Sequence, residues 1–104
     1  MYAIAFDLDT ALLAENYGGN SPNNGYKDIA NFLEGRGFTR QQGSVYFGNE
    51  AVNPVSTVLA VQEMARALPW FAASVRDIRM LRIDEDNDLN PAITVAALGI
   101  SIAV

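Results

Sequence analysis

The start of the chain carries the pattern that most limits how it can fold. Residues 2–8 alternate strictly between large apolar side chains and alanine or aspartate. The large side chains are those of Tyr2, Ile4, Phe6 and Leu8. Because strict alternation is typical of a β-strand with one face in a hydrophobic core, we predict a first strand whose bulky face meets helices. This strand brings Asp7 to its C-terminal end.

Two helices are predicted downstream, and each begins at a proline. Ser21 and Asn53 are candidate N-caps, and Pro22 and Pro54 suit the first helical position, where a missing N–H costs nothing. Pro69 is predicted to end the second helix. Its apolar stripe, flanked by Val61 and Met64, consists of Val55, Val58, Leu59, Gln62, Ala65 and Leu68.

The remaining strands are predicted on either side of the second helix. Residues 38–47 form either one strand with a bulge at Gly43 or a hairpin that turns around residues 42–44, and the sequence leaves both open. Residues 74–83 predict the last strand. Alternation places Asp77 and Arg79 on one face of that strand and Arg76 on the other.

The order of these elements predicts an α+β fold, a modified ferredoxin-like sandwich with an antiparallel or mixed sheet and two helices on one face. Its other face is left open, so we expect a homodimer that covers it. We assign residues 1–90 to this domain. Residues 91–104 form an apolar tail that is too short to span a bilayer, which needs about 20 residues. We predict an extra edge strand or a segment exchanged between subunits.

Composition excludes several kinds of chemistry. The 104 residues include no Cys and no His, so disulfides, thiolate metal sites and a histidine acid or base are impossible. The net charge of −5 gives no overall attraction to RNA, so RNA binding would need a local basic stripe, for which Arg76 and Arg79 are candidates. Asp7 interrupts the first apolar run and no basic segment precedes it. We therefore expect a cytoplasmic protein without a signal peptide or membrane contact.

Two acidic residues near the N-terminus give one functional hypothesis. The sequence Phe6-Asp7-Leu8-Asp9-Thr10 resembles the opening motif of haloacid-dehalogenase-type phosphatases, in which the first Asp is a nucleophile and the second a general acid. That motif has a glycine between the second Asp and the Thr, whereas Thr10 follows Asp9 directly here. The chain is also too short for the larger α/β sheet of those enzymes. We therefore rank this hypothesis third and expect Asp9 to be a turn residue.

A second resemblance covers most of the chain. Its blocks are Met-Tyr-Ala-Ile-Ala-Phe-Asp-Leu at residues 1–8, Gly-Phe at 37–38 with Gln-Gly-Ser-Val-Tyr at 42–46, and Trp-Phe at 70–71 with Ser-Val-Arg-Asp-Ile-Arg at 74–79. In this order and spacing they resemble the virulence-associated protein D family, which is similar to the small nuclease-like subunit of CRISPR adaptation complexes. The resemblance implies a homodimer with endoribonuclease activity, in some members as a toxin paired with an antitoxin protein.

The resemblance also implies the site residues. Asp7, Ser44 and Asp77 are carried over as catalytic residues, and Leu13 is a weaker carry-over for substrate binding. Without histidine, a carboxylate can act as the base or two carboxylates can hold Mg²⁺. We therefore predict Asp7 as base or as a Mg²⁺ ligand shared across the dimer, Ser44 as a phosphate contact and Asp77 as the second carboxylate.

Two less specific interpretations stay open beside the endoribonuclease hypothesis. Asp77 with Arg79 or Arg76 could be a structural ion pair on a strand. The whole protein could also be a non-catalytic dimeric module of the same fold that binds RNA or protein.

Overall fold

The computed structural model describes residues 1–18 and 21–99. The strands are β1 (Tyr2–Leu8), β2 (Phe38–Gln42), β3 (Val45–Gly48) and β4 (Val75–Arg82). The helices are α1 (Thr10–Asn16), α2 (Asn23–Glu34), α3 (Pro54–Ala67), α4 (Pro69–Ser74) and α5 (Asn90–Ala97). The strands form one sheet in the order β2-β3-β1-β4, and every neighbouring pair is antiparallel. This arrangement confirms the predicted α+β, ferredoxin-like class.

Strand β1 lies in the middle of the sheet and supplies much of the core. Ile4, Phe6 and Leu8 are buried against the helices, as their alternation predicts. The ring of Phe6 stacks on Tyr46 at 6.0 Å between centroids and meets Phe71 edge-on at 5.6 Å. The small and acidic residues between them therefore lie on the open face of the sheet.

The two possibilities for residues 38–47 are resolved in favour of a hairpin. Strands β2 and β3 pair antiparallel and are joined by Gly43 and Ser44. The pairing register also shifts between Arg40 and Gln42, so the hairpin contains an irregularity of its own.

Helix α3 begins as predicted and α2 does not. The Asn53 side chain accepts a hydrogen bond from the Ser56 amide at 2.8 Å, and the Ser56 hydroxyl accepts one from the Asn53 amide at 3.0 Å, which forms a capping box. In α2 the N-cap is Pro22, so the predicted Ser21 cap is wrong. The Ser21 carbonyl instead accepts from the Asn24 amide in a turn that leads into the helix.

The apolar stripe of α3 does not face the core. Val55 is 69 % exposed, and Val58 and Leu59 are each 50 % exposed. The buried positions are Thr57, Ala60 and Met64. Burial of Thr57 is tolerated because its hydroxyl donates to the Asn53 carbonyl at 2.8 Å, and Ala60 lets the helix approach closely.

Two alanine substitutions test this orientation. Met64→Ala is expected to lower the free energy of unfolding by about 2–5 kcal/mol, because it leaves a cavity in the core. Leu59→Ala, the matched control on the stripe, is expected to cost about 1 kcal/mol or less, because half of its side chain is already exposed. Urea unfolding measures both, and an equal loss in the two variants would contradict the orientation.

The structure contains three helices that were not predicted from the sequence, α1, α4 and α5. The last of them corrects the prediction for residues 91–104. Asn90–Ala97 is the helix α5, with Pro91 in its first turn, so the predicted extra edge strand is wrong over these residues. Residues 100–104 of the tail lie outside the described residues. Leu89, Ile93 and Leu98 are each about two-thirds exposed or more, and α5 buries no residue. In the part of the chain that is described, no helix is long and apolar enough to cross a bilayer.

Candidate active site at the end of the first strand

Asp7 and Asp77 lie directly opposite each other on β1 and β4. Residues that face each other across an antiparallel pair point to the same side of the sheet, which is here the open face. Both side chains are exposed, with 66 % of Asp7 and 53 % of Asp77 accessible. The structure therefore brings together the two carboxylates that the sequence named, although like charges in this position repel each other.

Arg79 compensates part of that repulsion. Its Nε donates to both carboxylate oxygens of Asp77, at 3.1 and 3.0 Å. The hydrogen bond and charge of Asp77 raise the pKa of the Arg79 guanidinium above its usual value. The predicted pairing of Arg79 with Asp77 is confirmed.

Arg76 reaches the site because β4 is irregular beside Asp7. Asp7 pairs with Asp77, but the next residue, Leu8, pairs with Val75, so Arg76 is an extra residue in the ladder. A bulge of this kind re-aims side chains, and Arg76 Nη1 lies 4.0 Å from Asp7 Oδ2. The prediction that Arg76 lies on the face opposite Asp77 assumed regular alternation and is therefore wrong.

Asp9 caps α1 and pairs with the same arginine. Its Oδ1 accepts from the Leu12 amide at 2.9 Å, and its Oδ2 lies 3.3 Å from Arg76 Nη2. The Leu12 hydrogen bond, and secondarily the charge of Arg76, hold the Asp9 pKa below its usual value. Its ionised form thus stabilises the fold at neutral pH, a contribution that is lost as the pH falls through the lowered pKa. A carboxyl held ionised is a poor general acid, which argues against the phosphatase hypothesis.

Ser44 and Leu13 occupy different surroundings. Ser44 is half-buried in the β2–β3 turn, where its carbonyl accepts from the amide of Phe6, the residue before Asp7. Its hydroxyl makes no hydrogen bond to another residue in the described part of the chain. Leu13 is 2 % exposed in the core, close to Gly25. A role for Leu13 at the site would therefore act through packing of α1.

The site has a net charge of −1. It contains the three carboxylates of Asp7, Asp9 and Asp77 and the two guanidinium groups of Arg76 and Arg79. Across residues 1–18 and 21–99, no three His, Cys, Asp or Glu side chains cluster as a preformed metal site. Mg²⁺ typically binds through one or two carboxylates together with water and phosphate oxygens. Asp7 fits such a role because it is the most exposed of the three and its ion pair is the longest.

Removing Arg79 tests the cross-strand pair. Arg79→Gln is expected to destabilise the protein at neutral pH, because Asp77 then faces Asp7 without its counter-charge. The loss should shrink at high salt concentration, because salt screens the interaction between exposed charges. Urea unfolding at low and high salt concentration measures it.

Arg82→Gln is the matched control. Arg82 is as exposed as Arg79 and pairs with Asp84 at 3.2 Å, outside the cross-strand pair. Equal losses in the two variants at neutral pH would mean that the facing carboxylates do not interact.

Comparison with known proteins gives several relatives along nearly the whole chain, although no family model matches. Endoribonuclease VapD 2 of Riemerella anatipestifer is 52 % identical over 94 residues, which is 90 % of this chain and 100 % of the relative. Endoribonuclease VapD homolog of Helicobacter pylori is 53 % identical over 95 residues, or 91 % of this chain and 98 % of the relative. Endoribonuclease VapD of Dichelobacter nodosus is 43 % identical over 89 residues, which is 85 % of this chain and 91 % of the relative.

Proposed function

The chain belongs to the virulence-associated protein D (VapD) family, and we propose that it is an endoribonuclease whose active site lies around Asp7 and Asp77. The observation that carries the proposal is the pair of facing carboxylates, flanked by two arginines, on an exposed face of a chain whose relatives are named endoribonucleases. Carboxylates can accept protons and guanidinium groups can bind phosphate oxygens, so the site contains both kinds of group that RNA cleavage requires.

In the proposed reaction, the Asp7 carboxylate takes a proton from the attacking 2′-hydroxyl or water. The resulting oxygen bonds to phosphorus as the bond from phosphorus to the leaving oxygen breaks, and that oxygen takes a proton from solvent. Arg76 and Arg79 stabilise the charge that develops on the phosphate oxygens. The Ser44 hydroxyl donates a hydrogen bond to one of them, and Asp77 holds Arg79 in place.

The alternative role of Asp7 is that of a Mg²⁺ ligand instead of the base. Asp7 would then hold the ion, which would neutralise phosphate charge and supply an activated water. Asp77 is less suited as a ligand because both of its oxygens already accept from Arg79. We therefore propose Asp7 as the protein ligand, shared with the second subunit's copy of the same residue in a dimer.

Substitution of Asp7 tests the proposed reaction. Asp7→Asn is expected to lower the rate of RNA cleavage by at least about 100-fold, because an amide cannot accept the proton and its neutral oxygen binds Mg²⁺ more weakly than a carboxylate does. The measurement is single-turnover cleavage of a labelled RNA, with Mg²⁺ and with EDTA, and we expect faster cleavage with Mg²⁺.

The control for this test is Asp84→Asn, which removes an exposed carboxylate of the Arg82 ion pair away from the site and should cleave at the wild-type rate. Wild-type protein that binds RNA but never cuts it would favour the non-catalytic module instead. Cleavage by a folded Asp7→Asn variant at the wild-type rate would remove Asp7 from the reaction.

We also propose a homodimer that covers the open face of the sheet. This face carries the half-buried Val45 and Phe47, and an open groove of about 670 Å³ separates them from Leu89 and Ile93. The radius of gyration is 16.7 Å, which is larger than the value of about 13 Å for a compact domain of 100 residues. The single chain is therefore less compact than a typical domain of its size. A second copy would fill the groove and bury α5. Because Asp7 is on the same face, it would also bring the two Asp7 carboxylates toward each other.

A charge placed in this groove tests the dimer. Ile93→Asp is expected to shift the protein from dimer to monomer, because a buried unpaired carboxylate disfavours the interface. Sedimentation velocity measures the change. Leu59→Asp places the same charge on the exposed stripe of α3 and should leave the dimer intact. A monomeric wild type, or a dimer lost only in Leu59→Asp, would overturn the proposed surface.

We propose that the enzyme acts on RNA in the cytoplasm. In a toxin–antitoxin role its partner would be an antitoxin protein, and that partnership stays a prediction.

A further inference from the structure

Asp9 is held by hydrogen bonds to both strand β4 and helix α1. Its amide donates to the Ser74 carbonyl at 2.8 Å, which continues the β1–β4 pairing beyond the bulge. Its carbonyl accepts from the Leu13 amide at 2.9 Å in the first turn of α1. Its Oδ1 accepts from the Leu12 amide. The backbone and one carboxylate oxygen are therefore held by both β4 and α1.

The second oxygen of that carboxylate is directed to Arg76. The Arg76 Nη2–Asp9 Oδ2 distance is 3.3 Å, whereas the shortest distance from Arg76 to Asp7 is 4.0 Å. The Asp9 side chain is 27 % exposed and that of Asp7 is 66 % exposed. Arg76 is thus anchored on the more buried and better-held carboxylate, and the more exposed carboxylate stays accessible to a substrate.

The position of Arg76 on the bulge explains why its side chain needs the Asp9 carboxylate as an anchor. Arg76 is the extra residue of β4, so no residue of β1 stands opposite it in the ladder. Its side chain is 59 % exposed. Apart from Asp7 and Asp9, it has no ion-pair partner in the described part of the chain. Without Asp9, a long guanidinium side chain on a bulge has many rotamers available and loses its fixed position beside Asp7.

We infer that Asp9 is a positioning residue, which acts through Arg76 to hold the guanidinium beside Asp7 where a phosphate of the substrate is bound. This inference rests on the proposed endoribonuclease function. Asp9 does not contact the RNA. Its effect should be on the catalytic step, because Arg76 stabilises charge only when it is held in the correct place.

The test must separate this role from the capping of α1. Asp9→Asn and Asp9→Ser both retain a good N-cap for the Leu12 amide but remove the charge that anchors Arg76. Each is expected to lower kcat by about threefold to fivefold, the upper part of the range that an exposed ion pair supports. KM should not rise, because loss of a negative charge does not weaken attraction to phosphate.

A double-mutant cycle with Arg76→Gln gives the decisive readout. If Asp9 acts through Arg76, then Asp9→Asn lowers kcat in the wild type and has no further effect in Arg76→Gln. A role confined to folding would lower kcat by the same factor in both backgrounds. Asp84→Asn, which breaks the more exposed Arg82 pair away from the site, is the control for loss of a surface carboxylate and should leave kcat unchanged.

The outcomes distinguish the two proposals. Wild-type protein that does not cleave RNA overturns the endoribonuclease function, and this inference with it. Cleavage by the wild type together with unchanged kcat in both Asp9 variants, or with equal effects in both Arg76 backgrounds, overturns the inference alone.

Discussion

The antiparallel pairing of β1 with β4 is the contact on which the rest of the molecule depends. It places the bulky face of β1 against the helices and at the same time sets Asp7 opposite Asp77 on the other side. Because successive side chains of a strand point to opposite faces, core and site are fixed by the same register. A slip of one residue would bury the carboxylates and expose Phe6 and Leu8.

The irregularity beside Asp7 resolves a conflict at the end of this pairing. Two facing carboxylates on a regular ladder would have one arginine nearby, since alternation directs Arg76 to the far side. One extra residue in β4 moves Arg76 to the acidic side, and Asp9 then holds it while also beginning α1. The local cost of a broken ladder is offset by a second positive charge among three negative ones.

Much of the fold was predictable from patterns that are local. The alternation of β1 and the Asn53-Pro54 start of α3 each depend on a few adjacent residues, and both were predicted correctly. The outward-facing stripe of α3 was not, because burial there follows from the Thr57 hydroxyl finding a carbonyl and from the small size of Ala60, neither of which hydrophobicity reveals. The tail was predicted to be an extra edge strand or an exchanged segment, and helix α5 was missed because a short apolar run does not distinguish a helix from a strand.

The candidate site shows the same division. Asp7 and Asp77 were named from the resemblance, and the Arg79 partner follows from alternation on a single strand. The position of Arg76 could not be predicted, because a bulge depends on how two distant strands pair. Asp9 was expected in a turn, and only the three-dimensional structure shows that its two oxygens serve a helix and an arginine at once.

The separation of the two facing carboxylates along the chain has a consequence for biosynthesis. Asp77, on β4, is made 70 residues after Asp7. Closing so long a loop is entropically costly, and it is compensated only when the last strand docks beside the first. A nascent chain on the ribosome therefore lacks the complete cluster of carboxylates and arginines until β4 has emerged and paired with β1.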